Sequence, residues 1–155
     1  MAHLMRTVDT THVAATPADA FAVAADVEGW PAILPHYRYV RFLDRRTNGG
    51  VVEMSAYRHF GPFPWPTWWV SEMHVVPDTH TVLYRHIGGI TTGMDVAWKI
   101  RSDGTGTRIE LVHEWRGPRW PLIGRFAANA VIGPVFIHHI ASRTLAGVKR
   151  RAESA

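Results

Sequence analysis

The sequence predicts an α+β domain in which a seven-stranded antiparallel sheet wraps around a long C-terminal helix, with two short helices after the first strand. Seven segments show the alternation or the β-branched composition of strands. Short breaks rich in glycine, proline, asparagine and aspartate separate the last six of them, which favours successive antiparallel connections. The final part of the chain returns to helical spacing.

The N-terminal part of the chain predicts one strand followed by two short helices. Residues 6–13, RTVDTTHV, are rich in β-branched types and predict the strand. Thr16 is a good N-cap for a helix over residues 17–27, whose first residue is a proline. The Gly29-Trp30-Pro31 sequence ends that helix, and residues 31–35 are long enough for one more short turn of helix.

The rest of the chain predicts six strands and one long helix. The strands are expected at residues 37–45, 51–60, 67–76, 81–87, 94–101 and 107–116. Apolar residues three, four or seven apart then predict a helix over residues 121–151, kinked at about Gly133 because Pro134 removes a backbone hydrogen bond. One helix cannot fill a concave sheet completely, so we expect a pocket, which would explain the seven tryptophans.

Length and composition exclude several classes of protein. A chain of 155 residues with 46% hydrophobic and 19% charged types predicts one folded domain over residues 1–155. The absence of cysteine excludes disulfides, cysteine-based zinc sites and thiol nucleophiles. A net charge of +4, with no basic block beyond Lys149-Arg150-Arg151, argues against nucleic acid as a partner.

Targeting signals and metal motifs are not found in the sequence. The first residues alternate and do not have the pattern of a signal peptide, and the apolar stretch at 126–137 is too short and broken to span a bilayer. We therefore expect a cytoplasmic protein. His138 and His139 point about 100° apart on a helix and form a poor chelating pair, so we expect no metal and no cofactor.

Strand alternation predicts which side chains face the pocket. On four strands the apolar set is clear. The residues expected to face inward are Val52, Met54, Ala56, Trp69, Ser71, Met73, Val75, Met94, Val96, Trp98, Ile100, Ile109, Leu111, His113 and Trp115. On residues 81–87 two alternatives are open: either Val82, Tyr84 and His86 face inward, or Leu83 and Arg85 do.

Three polar residues are therefore candidates for an apolar interior. Arg58 continues the inward set of its strand, His113 belongs to the inward set of the last strand, and His86 belongs to one of the two open alternatives. A buried cation needs an anion, a carbonyl or an exit to water, so Arg58 has the alternative of reaching solvent at the pocket mouth. Each histidine has the alternative of being a core residue that is hydrogen-bonded to a neighbour.

Three segments carry a resemblance to a known family. The run DVEGWPAILPHY at residues 26–37, followed by a strand, resembles START-like (SRPBCC) helix-grip proteins, and more narrowly the polyketide aromatase/cyclases of the tetracenomycin type. The strands WWVSE at 68–72 and MDVAW at 94–98 are similar to that family's pocket strands. The resemblance implies a helix-grip fold over nearly the whole chain.

The resemblance also implies positions in the site. Trp30, Tyr37, Trp69 and Trp98 match family positions that line the interior pocket. The family's proposed catalytic arginine, two residues after the serine of the Trp-Val-Ser-Glu run, falls on Met73. Methionine can neither stabilise an enolate nor donate a proton, so the chain departs from the family pattern at this position.

Two functions are consistent with these observations. The first is a cyclase or dehydratase that binds an apolar polyketide-type or aromatic molecule and promotes aldol cyclisation. Trp69, Trp98 and Met73 would fold the substrate, Arg58 would stabilise negative charge, and Tyr37 with His113 or His86 would form the acid/base pair. The ligand wall would comprise Trp30, Met54, Trp69, Ser71, Met73, Val96 and Trp98.

The second function is a non-catalytic carrier or sensor of a hydrophobic small molecule such as a lipid, quinone or pigment. The methionine at position 73 favours this alternative. The loop at residues 60–66, with three prolines and aromatic side chains, either folds onto the core or forms an apolar lip at the pocket entrance. Such a lip would allow transient contact with a membrane or with a carrier protein.

Overall fold

Seven strands and three α-helices make up the part of the chain that the computed structural model describes, residues 4–60, 62–89, 91–116 and 134–154. The strands are β1 (Met5–Val13), β2 (Tyr37–Arg46), β3 (Gly49–Phe60), β4 (Phe63–Val76), β5 (Thr81–Gly89), β6 (Asp95–Ser102) and β7 (Thr107–Trp115). The helices are α1 (Pro17–Ala25), α2 (Trp30–Ile33) and α3 (Pro134–Glu153), and short 3₁₀ turns lie at Val27–Gly29 and Pro77–Thr79.

The strands form one antiparallel sheet in the order β1-β7-β6-β5-β4-β3-β2. Strands β2 to β7 follow one another as neighbours, and β1 pairs with β7 at one edge of the sheet. The α+β fold and the seven-stranded antiparallel sheet predicted from the sequence are therefore confirmed. Irregular register between Tyr37 and Tyr39 and between Phe42 and Asp44 marks bulges in β2, and bulges bend a sheet.

The two short helices begin where their sequence signals lie. The hydroxyl of Thr16 accepts a hydrogen bond of 3.1 Å from the backbone N–H of Asp19, and Pro17 opens α1. Helix α1 ends at Ala25, two residues earlier than expected, because Val27–Gly29 tighten into a 3₁₀ turn. The short second helix is confirmed at Trp30–Ile33.

Strand β4 begins four residues earlier than expected, although Pro64 and Pro66 lie within it. The N–H of Tyr57 bonds to the carbonyl of His36 on the β2 side, so the Tyr57–Pro66 pair exchanges no hydrogen bond between β3 and β4. Both prolines therefore direct their missing N–H away from β3. On that other side β5 pairs with β4 only as far as Trp69, so no carbonyl of β5 needs a hydrogen bond from either proline. The two prolines are therefore tolerated in the strand.

Helix α3 covers the concave face of the sheet with one apolar stripe. Its buried hydrophobic residues follow helical spacing and are Ile137, Ala141, Leu145, Val148 and Ala152. The part of the predicted helix at residues 121–133, with the kink expected at Gly133, lies outside the described residues. In the part of the chain that the structure describes, no helix combines the length and the apolar character that a membrane span requires.

The predicted inward faces are confirmed by burial. Val52, Met54 and Ala56 on β3 are buried, as are Met94, Val96, Trp98 and Ile100 at β6 and Ile109, Leu111 and Trp115 on β7. The structure also decides between the two alternatives that the sequence left open for the inward face of β5. Val82, Tyr84 and His86 are buried, whereas Leu83 and Ile87 are exposed on the convex face.

Candidate functional site

A cavity lies between the concave face of the sheet and helix α3. Its volume is about 80 Å³, several times the roughly 10–15 Å³ that one water molecule needs. The described residues that line it are mostly aromatic or aliphatic: Trp30, Tyr37, Met54, Trp69, Tyr84, His86, Thr91, Met94, Val96, Trp98, Leu111, His113, Ile137, Ile140, Ala141 and Thr144. None of these is an aspartate, glutamate, lysine or arginine.

Aromatic rings form one wall of the cavity and hold one another in place. The ring of Trp30 lies 5.4 Å from Tyr37 in an edge-to-face arrangement and 5.6 Å from Trp98. The ring of Tyr37 in turn lies 6.1 Å from Trp69. The indole N–H of Trp30 donates a 3.2 Å hydrogen bond to the carbonyl of Val23 in α1. This wall is therefore fixed by contacts on several sides.

His86 lies in the wall as a neutral imidazole. Its Nδ1 is 2.7 Å from the hydroxyl of Thr91, in the turn between β5 and β6. Burial and, to a smaller extent, the nearby ring of His113 lower the pKa of His86 to about 3. His86 is therefore uncharged at neutral pH. It can give or take one hydrogen bond through its second nitrogen, and it brings no positive charge to a ligand.

His113 and Tyr84 place two unsatisfied polar atoms in the same cavity. The register pairs Tyr84 with Val96 and Val96 with His113, so the three residues form one row across β5, β6 and β7. Nδ1 of His113 and the hydroxyl of Tyr84 are both buried and have no hydrogen-bond partner among the described residues. Burial lowers the pKa of His113 to about 4 and raises that of Tyr84.

A chain of hydrogen bonds ties the opposite side of the cavity to helix α3. The hydroxyl of Thr144 donates to the carbonyl of Ile140 at 2.8 Å and lies 3.0 Å from Nε2 of His36. It also bonds to the hydroxyl of Tyr37. Burial raises the pKa of Tyr37, and burial followed by nearby positive groups lowers the pKa of His36 to about 4. Both rings are therefore neutral.

The structure brings most of the predicted site residues together. Tyr37, His86 and His113, proposed as acid/base groups from the sequence, all line the cavity. So do five of the predicted wall residues: Trp30, Met54, Trp69, Val96 and Trp98. Their common position in the cavity lining supports their assignment to one site, and their chemical roles remain predictions.

Three predicted site residues are not among the described lining residues. Met73 is buried on the inward face of β4, where it pairs with Tyr84, and Ser71 is buried and pairs with His86. Arg58 keeps the register of its strand with no bulge, and its guanidinium donates to the carbonyl of His59. Met73 and Ser71 are thus cross-strand neighbours of lining residues.

Sequence reasoning missed several lining residues, for different reasons. Tyr84 belongs to one of two open alternatives because residues 81–87 carry apolar side chains on both faces. Helical spacing indicated the face that carries Ile137, Ile140 and Thr144, but it could not indicate which turn of α3 covers the cavity. Thr91 lies in a turn, where no periodicity applies. Within the described ranges, no three histidine, aspartate or glutamate side chains are close enough together to hold a metal ion.

Comparison with solved structures places the fold among known proteins. The chain is similar to the Zhui aromatase/cyclase from Streptomyces sp. R1128, with a TM-score of 0.82, 21% identity, and coverage of 97% of this chain and 94% of that one. It is also similar to a START superfamily protein from Mycobacterium smegmatis, with a TM-score of 0.67, 15% identity, and coverage of 96% and 94%. At these identities the likeness shows the fold alone.

A third similar structure is that of a synthase. The norcoclaurine synthase of Thalictrum flavum matches with a TM-score of 0.73 and 14% identity, over 98% of this chain and 96% of that one. No curated protein matches the sequence significantly. The family model described as "Polyketide cyclase / dehydrase and lipid transport" matches residues 13–134, which is most of the chain. The chain therefore belongs to the polyketide cyclase/dehydrase and lipid transport family, and its fold is the helix-grip fold.

Proposed function

We propose that the protein, acting as a single domain in the cytoplasm, binds an apolar polyketide-type or aromatic molecule in the cavity and promotes its aldol cyclisation and dehydration. One observation supports this most strongly. Nδ1 of His113 and the hydroxyl of Tyr84 are buried in an otherwise apolar lining without a partner among the described residues. Buried polar atoms without partners are costly in a folded protein, so a ligand with carbonyl or hydroxyl groups would stabilise both.

The shape of the site suits a flat molecule. Trp30, Trp69 and Trp98 would contact ring faces on one side, and Ile140 and Ala141 of α3 would close the other side. Held in this way, a flexible polyketone is restricted to folded conformations. Such restriction reduces the entropy that ring closure loses.

The neutral polar groups suit the two steps of an aldol condensation. In the Nε2–H tautomer, Nδ1 of His113 can accept the proton of an enol hydroxyl while the enol carbon bonds to a ketone carbon. The Tyr84 hydroxyl would hydrogen-bond to the ketone oxygen as negative charge develops there, and that oxygen then takes the proton back from His113. Loss of the new hydroxyl group with a neighbouring C–H proton, as water, forms the double bond. Each proton is accounted for, and no tyrosinate is required.

The proposal is tested with a linear aromatic triketone ester as the substrate. We expect the protein to accelerate formation of the cyclised, dehydrated product, followed by absorbance and by mass spectrometry. Tyr84→Phe and His113→Gln should each lower the rate by about 10²-fold or more, because each removes a group that acts in the transition state.

The matched control is His74→Gln, because His74 is an exposed histidine on the convex face of β4. This variant should retain the full rate. Equal rates for the parent and for both cavity variants would contradict the proposed chemistry. Acceleration that survives in heat-denatured protein would contradict it as well.

A carrier or sensor of a hydrophobic small molecule is the second candidate. The observation that favours it is electrostatic: no described lining residue is formally charged, and burial keeps His86 and His113 neutral. An enolate would therefore meet no cation on the described wall. Organic extraction of the purified protein, followed by mass spectrometry, would identify a retained ligand. Stoichiometric ligand with no turnover of the triketone would support the carrier.

A further inference from the structure

Two large aromatic side chains are exposed at the tip of the β3–β4 hairpin. Phe63 is 73% exposed and Trp65 is 63% exposed, although rings of this size are usually buried. Pro62, Pro64 and Pro66 alternate with them and are also exposed, so the tip is both stiff and apolar. A rigid segment loses little entropy when it binds another surface.

The hairpin directs both rings towards the cavity side of the sheet. The register of β3 with β4 is unbroken from the Gly49–His74 pair to the Phe60–Phe63 pair. Phe63 and Trp65 therefore lie on the same face as Trp69, which lines the cavity. Trp68, although 51% exposed, lies on the opposite face, where it approaches Gly88.

The hairpin that carries the tip has no acidic residue over residues 54–71, and helix α3 has none before Glu153. Arg58 pairs with Trp65 in the hairpin, and Arg58 and Arg143 are both near enough to His139 of α3 to oppose its protonation, after burial as the main cause of its lowered pKa. The exposed rings thus lie on a hairpin segment, residues 54–71, whose charged residue of the Asp, Glu, Lys and Arg types is the cationic Arg58.

We propose that this aromatic tip, residues 62–66, docks the protein onto an anionic lipid surface. Phenylalanine and tryptophan are the side chains that partition into the membrane interface, and nearby arginines add attraction to acidic headgroups. An acidic soluble protein could interact with the arginines, but such an interaction would not explain why two neighbouring aromatic rings project into solvent. Docking at the tip would bring the cavity side of the sheet towards the source of an apolar ligand.

The experiment is co-sedimentation of the full chain with vesicles. One set is phosphatidylcholine alone and the other contains about one-third phosphatidylglycerol. We expect binding to the anionic vesicles that weakens as salt is raised. The double variant Phe63→Ser/Trp65→Ser should reduce that binding by about tenfold or more, because it removes two inserted rings. Both changed positions are exposed, and circular dichroism would verify the fold.

The matched control is Trp68→Ser, which removes an exposed tryptophan of the same strand from the opposite face. It should bind as the parent does. Equal loss in Trp68→Ser and in the double variant would overturn the assignment to the tip. So would parental binding by the double variant, absence of vesicle binding by the parent, or binding only to an acidic carrier protein.

Discussion

The imidazole of His86 stacks on the indole of Trp69, with ring centroids 5.9 Å apart and ring planes 7° from parallel. The same imidazole is held on its edge by the hydroxyl of Thr91. One contact on the face of the ring and one on its edge leave it little freedom, so this titratable side chain is a fixed part of an apolar wall. Its neutral state is the condition for that role, and this makes the stability of the fold depend on pH.

Lowering the pH should destabilise the protein at pH values that are still above those at which carboxylates titrate. Burial is the main cause that lowers the pKa of His86 to about 3 and those of His36 and His113 to about 4. Between these values and about 6.5, the unfolded chain binds protons that the folded chain does not. Stability is therefore full above about pH 6.5 and is lost as the pH falls. Each imidazole contributes a slope of about 1.4 kcal/mol per pH unit in that window.

Urea unfolding at pH 7, 6 and 5 measures this slope. Replacement of one of the three rings, as in His86→Phe, should reduce the slope by about one proton while leaving the stacked position filled. An unchanged slope in that variant, or constant stability from pH 7 to 5, would contradict the account of a neutral buried imidazole.

Tyr84→Phe should stabilise the protein. The Tyr84 hydroxyl is buried without a partner among the described residues, so its removal deletes a desolvated polar group at little loss of packing. We expect a gain of about 1 kcal/mol in the free energy of unfolding. The matched variant is Tyr37→Phe, which removes a hydroxyl that is bonded to Thr144 and should lose about 1 kcal/mol. In thermal unfolding the two variants should change the free energy of unfolding in opposite directions. Changes of the same sign would refute this prediction.

Gly147→Ala should destabilise the protein although alanine is the better helix former. A Cβ at Gly147 in α3 would overlap with Cδ2 of Leu34, which is fully buried, and would lie 3.2 Å from the carbonyl oxygen of Ile33. Overpacking of this kind costs about 1–3 kcal/mol, more than the helix propensity of alanine returns. Denaturant melts of Gly147→Ala and of Gly147→Ala/Leu34→Ala test it. The penalty of the glycine replacement should shrink in the Leu34→Ala background.

Ala141→Leu should close the cavity and leave the fold in place. Ala141 is buried on α3 and lines the cavity, so three added carbon atoms would occupy a large share of about 80 Å³. We expect at least about tenfold weaker binding of an apolar fluorescent dye, with a stability change within about 3 kcal/mol. Leu43→Ala, a change at an exposed position on β2, is the control that should bind the dye normally. Normal dye binding by Ala141→Leu would contradict the prediction, because it would mean that the dye binds outside the cavity.

Local patterns account for much of the architecture. Alternation predicted the inward faces of four of the seven strands, and turn residues such as Asn48-Gly49 predicted where strands reverse, because both signals depend on residues close in the chain. The cap at Thr16 and the short helix at Trp30 follow from neighbouring residues in the same way. Eight of the eleven residues proposed for the site line the cavity. Alternation predicted five of them as inward-facing, and an inward-facing residue of a concave sheet is close to its hollow: Met54, Trp69, Val96, Trp98 and His113. Trp30 and Tyr37 follow from the family resemblance.

By itself, the sequence determined the order of the elements and the side of each clearly alternating strand, since these depend on the chemistry of nearby residues. Only the tertiary structure decided that Tyr84 faces inward, that β4 accepts two prolines beyond the end of β5, and that Met73 lies beside the lining while Thr91 lies in it. Those outcomes depend on which strands stop first and which turn of α3 packs over them. Such facts arise between residues that are distant in the chain, where no local pattern reaches.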